Sequence, residues 1–79
     1  MNYEIIKLRA KKDQMIDIAI PCLITDTFVR IEEILYDQYP EYKDNNTYFT
    51  VNGGTVKRFK TIQENNIKNY DKVLLNLYE

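Results

Sequence analysis

The sequence predicts an α+β fold: a mixed four- to five-stranded sheet packed on one α-helix, in the order ββαββ, with a short helical turn before the last strand. Three observations predict it. Only the stretch from Thr27 to Tyr39 carries a helical period. Two alternating runs precede it, joined by a short polar segment, as in a β-hairpin. Shorter alternating runs follow it, broken by the only two glycines in the chain, and a last one closes the sequence.

In the helical stretch Phe28, Ile31 and Leu35 fall at i, i+3 and i+7, on one face. Arg30, Glu33 and Asp37 point the other way. Thr27 is placed to cap the N-terminus, its hydroxyl accepting from an amide of the first turn. Pro40 ends the run and biases Tyr39 away from helical geometry.

From Tyr3 to Arg9, Glu4, Ile6 and Leu8 share one strand face, and Tyr3, Ile5, Lys7 and Arg9 the other. Ala10 to Gln14 reads as a turn. From Met15 to Ile20, Ile16, Ile18 and Ile20 oppose Met15, Asp17 and Ala19. The isoleucine face is the uniformly apolar one and is expected to be buried. Pro21 is expected to end this strand, since it cannot donate to a ladder, and Cys22 to Asp26 to link into the helix.

Beyond Pro40, Glu41 to Asn46 reads as a loop and Tyr48 to Val51 as a third strand. Asn52-Gly53-Gly54 is the strongest turn signal, because Asn and Gly tolerate positive φ. Thr55 to Phe59 is a candidate irregular fourth strand. Thr61 to Asn69 is polar, with Ile62 and Ile67 as isolated anchors in a short helical turn. In the final strand, Lys72 to Tyr78, Val73, Leu75 and Leu77 oppose Leu74, Asn76 and Tyr78. The first and last strands are expected to lie side by side, parallel, in the middle of the sheet, with the helix across its inner face.

Composition narrows the function. Seventy-nine residues make one small domain, residues 1–79, with room for a single core. A net charge of −1 gives no global attraction to nucleic acid or to an anionic membrane, and neither is expected as a partner. There is no His, Ser or Trp, so no Ser-His or Cys-His nucleophile pair exists in the sequence, and the commonest zinc ligand is missing. Catalytic, cofactor-binding and metal-binding residues are therefore all expected to be none. The single Cys22 cannot form an internal disulfide. No apolar run approaches a bilayer span, and no signal-peptide pattern opens the sequence, so an intracellular, cytoplasmic setting is expected, compatible with the nucleus. Asn45-Asn46-Thr47 matches a glycosylation sequon but reads as loop polarity.

Several features have both a functional and a bland reading. Lys57-Arg58-Phe59-Lys60 is a basic cluster beside an aromatic that reads as a solvated loop. Glu32, Glu33 and Asp37 read as a solvated helix face, and Cys22 as a partly buried structural thiol. Tyr36, Tyr39 and Tyr42 read as rings packed around the Pro40 corner, against the alternative of a second binding patch.

The order and spacing resemble the ubiquitin-like, or β-grasp, family. The resemblance is most specific in Phe49-Thr50-Val51, Asn52-Gly53-Gly54, Val56, Thr61-Ile62, Asn65-Asn66-Ile67 and Val73-Leu74-Leu75-Asn76-Leu77. The spacing of Leu8 and Ile16 and the start Asp26-Thr27-Phe28 fit the family's first hairpin and helix. About two extra residues between Ile20 and Asp26 depart from it, as does the loop after Pro40. Conjugated members of the family need a flexible Gly-Gly tail. The sequence stops at Tyr78-Glu79, and Gly53-Gly54 is internal.

The resemblance implies a non-catalytic protein–protein interaction module or small adaptor subunit, not conjugated to targets. The alternatives are a truncated or precursor form of a conjugatable modifier, or an accessory protein like the ubiquitin-like components of type VII secretion. The family's recognition patch lies on the exposed sheet face, and the matching positions here are Thr50, Leu74 and Asn76. Only Leu74 is apolar, so ordinary ubiquitin receptors are not expected to bind. The protein-binding face is expected to comprise Tyr48, Thr50, Leu74, Asn76, Tyr78, Ile5 and Lys7, bordered by Arg9. The partner is expected to be a protein, bound by a monomeric domain or by a subunit of a complex.

Overall fold

The computed structural model describes residues 3–10, 17–43 and 46–78. The elements are β1 (Tyr3–Ala10), β2 (Asp17–Leu23), α1 (Phe28–Gln38), β3 (Thr47–Val51), β4 (Gly54–Thr55) and β5 (Lys72–Leu77), with a 3-10 turn at Pro40–Tyr42. They form one sheet in the order β2-β1-β5-β3-β4. β1 and β5 lie side by side and parallel, with Leu8 opposite Val73. The other pairings are antiparallel. This is the expected α+β architecture with five strands. The expected turn at 11–14, Met15 and Ile16, and Asp44 and Asn45 of the predicted loop and sequon lie outside the described residues.

Alternation along the strands builds the core. Ile6, Leu8 and Ala10 of β1, Ile20 and Cys22 of β2, Phe49 and Val51 of β3, and Val73 and Leu75 of β5 are buried on one face. α1 lays Phe28, Ile31 and Leu35 on that face, as their spacing predicts. Each such side chain contributes roughly 1.5–3 kcal/mol relative to exposure, taken as an upper bound. The Phe28 and Phe49 rings meet edge to face at 4.9 Å. Val56, Ile62 and Ile67 join the core from the connection between β4 and β5, Ile62 and Ile67 as the expected anchors. Asn52 and Gly53 make the predicted turn, with φ of 51° and 82°.

Three local expectations are corrected. Pro21 does not end β2 but sits inside it, opposite Ile5. The Ile5 N–H donates to Asn69 Oδ1 and its carbonyl accepts from the Tyr70 amide, both away from β2. Ile5–Pro21 is thus a non-hydrogen-bonded pair, and the missing N–H of Pro21 falls on the open edge of the sheet. Thr27 is the N-cap residue, but its side chain makes no capping bond. The amides of Phe28 and Val29 donate instead to the carbonyls of Lys60 and Arg58. The fourth strand is only Gly54–Thr55. The segment after Thr61 makes the expected short helical turn, the Asn65 amide donating to the Thr61 carbonyl at 3.0 Å. It is held by a reciprocal box in which Thr61 N–H donates to Glu64 Oε1 at 2.9 Å and Glu64 N–H to Thr61 Oγ1 at 3.0 Å.

Candidate functional site

The strands that bury one face under α1 turn their other residues outward. On β1 these are Tyr3, Ile5, Lys7 and Arg9, and on β5 Lys72, Leu74 and Asn76, with Tyr78 just beyond; on β3 they are Tyr48 and Thr50. The register assembles them. Thr50 lies opposite Leu74 and Tyr48 opposite Asn76. Across the parallel seam, Arg9 lies beside Leu74 and Lys7 beside Lys72. Leu74 therefore sits between Arg9 and Thr50, and Lys7 and Ile5 lie two and four residues further back along β1.

Exposure divides the expected site residues. Tyr78 is 61% exposed and Lys7 is exposed, while Ile5, Tyr48, Thr50 and Leu74 are half-buried. Asn76 is buried at 6% exposure. Its amide donates to Thr50 Oγ1 at 3.1 Å and to the Leu74 carbonyl at 3.2 Å. Asn76 thus serves as a hydrogen-bonded floor that fixes Thr50. The Tyr48 and Tyr78 rings pack on each other with centroids 4.6 Å apart. At the border of the face, Arg9 Nη2 bonds Asp17 Oδ2 at 3.1 Å, an exposed pair of small energetic weight.

A second polar cluster lies on the helix side. Glu32 was expected to be solvated, but it is 3% exposed. Its Oε1 accepts from Arg58 Nε at 2.6 Å, and its Oε2 from the Tyr36 hydroxyl at 3.1 Å. Tyr36 also bonds Thr47 Oγ1 at 2.9 Å, so the cluster joins α1, β3 and the 57–60 loop. The hydrogen bond that Arg58 donates to Glu32 raises the Arg58 pKa above its ordinary value, and burial raises that of Tyr36. Arg58 is thereby tethered to α1, while residues 57–60 stay exposed, as expected of a solvated loop. Phe59 beside it is 82% exposed. Sequence reasoning missed this pair, because its partners are separated by 26 positions.

The remaining candidates are structural or open. Tyr42 is buried, and Tyr36 and Tyr39 pack against the core, as expected around Pro40. An open depression of about 500 Å³ is lined by Arg30, Glu33, Tyr36, Asp37, Pro40 and Lys43, with two charges of each sign. Cys22 is buried, and its thiol lies 3.6 Å from the Glu4 carbonyl. Burial, and then the Asp26 and Glu4 carboxylates, push its pKa up to about 11. Among the described residues, no group of three or more His, Cys, Asp or Glu side chains is arranged to hold a metal ion. No described helix is long and apolar enough to cross a membrane.

One helix laid across a mixed sheet with parallel central strands defines the β-grasp class. Within that class the fold is ubiquitin-like. The chain superposes on ubiquitin from Caldiarchaeum subterraneum with a TM-score of 0.80 at 15% identity, covering 99% of this chain and 96% of that one. It matches the ubiquitin-like domain of an Arabidopsis thaliana protein with a TM-score of 0.81 at 8% identity, covering 100% of this chain and 81% of the other. A designed protein based on ubiquitin matches with a TM-score of 0.80 at 18% identity, over 98% of this chain and 90% of the design. No family model matches the sequence, and neither does any curated protein. Likeness at these identities establishes the fold; function has to come from the surface.

Proposed function

We propose that the chain is a non-catalytic ubiquitin-like interaction module, an adaptor domain or small subunit that binds a protein partner through the outer face of its sheet. The observation that carries this reading is the packed Tyr48–Tyr78 pair, on the same sheet face as Leu74 and opposite the face that α1 covers. Tyrosine combines a large apolar area with a polar tip and is favoured at interface hot spots. The Asn76–Thr50 hydrogen bond holds the floor of the patch in one geometry, which lowers the ordering cost of binding. Lys7 and Arg9 supply a charged rim, the usual surround of an apolar interface centre.

The test is affinity isolation of the partner, followed by calorimetric titration of variants whose fold is verified by circular dichroism. Leu74→Asp and Tyr78→Ala should each weaken binding by at least about tenfold, which is the loss of about 1.4 kcal/mol. Glu33→Ala, on the exposed side of α1, should bind like the wild type. Folded Leu74→Asp and Tyr78→Ala proteins that bind at full affinity would rule out this face.

A further inference from the structure

Two local features near the start of β5 work against stability, and they adjoin one another. The first is the pairing of Lys7 with Lys72. They occupy the same register position on adjacent strands, and both are exposed on the outer face. Like charges opposite each other in a sheet repel. Among the described residues neither lysine has an ion-pair partner. The second is Tyr70, whose φ is 66°. Asn52 and Asn66, the other non-glycine residues at positive φ among the described residues, are of the type that tolerates it, whereas a bulky aromatic there is an outlier. Tyr70 is 59% exposed, so its ring recovers little of that cost by packing. The two features are tied through the backbone. The Tyr70 amide donates to the Ile5 carbonyl at 2.6 Å, and the Lys7 amide to the Asp71 carbonyl at 3.0 Å.

We infer that Lys7, Lys72 and Tyr70 form the recognition point for an acidic segment of a protein partner, whose carboxylates neutralise the two lysines while its apolar side chains cover Leu74 and the tyrosines. This inference rests on the interaction-module reading and names the chemistry of the partner. Charge complementarity carries it. A carboxylate between the lysines removes their repulsion, so the attraction is larger than either cation alone would give. A protein segment fits better than nucleic acid. Tyr48 and Tyr78 already pack on each other at a 40° tilt, and the net charge of −1 offers no basic stripe along which a phosphate backbone could run.

The probe is a random dodecapeptide library displayed on phage and panned against the whole chain. The enriched peptides should carry several Asp or Glu residues around apolar ones. A synthesised member should bind about tenfold more weakly to the Lys7→Gln/Lys72→Gln variant. It should also bind more weakly to Tyr70→Gly. In the free protein, Lys72→Gln and Tyr70→Gly should each raise Tm by roughly 2–5 °C, since each removes a local cost. A pool without acidic enrichment overturns the inference, as does no enrichment at all, an unchanged or lower Tm in both variants, or a single-stranded oligothymidylate that binds through the lysines more tightly than the peptides do. Peptides that depend on Leu74 and Tyr78 but ignore the lysines leave the module reading standing and remove the acidic partner. Peptides indifferent to all four residues remove both.

Discussion

Removing one end of the Glu32–Arg58 pair is not equivalent to removing the other. The side chain of Glu32 is 3% exposed and that of Arg58 is 53% exposed. Arg58→Ala strands a buried carboxylate to which, among the described residues, only the Tyr36 hydroxyl still donates. It should cost about 2–3 kcal/mol. Glu32→Gln keeps the shape, and Arg58 can turn into water, so the loss should be about 1 kcal/mol or less. Urea denaturation of the two variants checks the order, and a larger loss for Glu32→Gln would contradict it. Cys22 gives a second prediction at this scale. Its pKa rises on folding from 9.0 to about 11, so the folded state favours the neutral thiol. The contribution is complete below pH 9.0 and is lost as pH rises through about 11. Alkylation by iodoacetamide at mildly alkaline pH should therefore proceed only at the rate of opening, while a rapid reaction with the native protein would show an accessible thiolate.

The decisive element is the connection from Val56 to Ile67, which does the capping that Thr27 does not. Its carbonyls at Arg58 and Lys60 satisfy the first amides of α1. Asn65 holds it with bonds to the amide and carbonyl of Lys57 and the carbonyl of Thr61. The Thr61–Glu64 box anchors the turn that buries Ile62. Thr61→Ala should cost about 1 kcal/mol, measured as a shift in the urea midpoint. The Thr61 amide and hydroxyl hold the Glu64 carboxyl below its ordinary pKa. Its contribution is present above the ordinary carboxylate value and fades as pH falls through the lowered one. Acid should therefore shift the midpoint of the wild type more than that of Glu64→Gln; equal acid shifts would dissociate the box from stability. Helix, strands and anchors were legible because Phe28, Ile31, Leu35 and the alternating runs carry periods readable over a few residues. The helix cap was not, because Lys60 and Phe28 are 32 positions apart and no local period links them. The end of β2 was misread because Pro21 excludes a central strand, and only the sheet order reveals that β2 is an edge.

At the scale of the whole molecule, the sheet separates two tasks. The face under α1 holds the side chains that specify the ubiquitin-like fold, and the opposite face leaves Leu74 and a tyrosine pair uncovered. Alternation put Leu74 and Tyr78 on one face of β5, and the family resemblance added Tyr48 and Thr50 to that surface. Neither showed that Asn76 is buried among them, or that Lys7 and Lys72 stand side by side. Both depend on pairings between distant strands. An interaction module of this kind binds on the outer face and not on the helix. Amide chemical-shift mapping of the labelled chain, titrated with its isolated partner or a selected peptide, checks this residue by residue. The predicted result is perturbation concentrated at Lys7, Tyr48, Thr50, Lys72, Leu74 and Tyr78, with Arg30, Glu33 and Asp37 of α1 unmoved. Shifts centred on those three helix residues, with the outer strands silent, would contradict it.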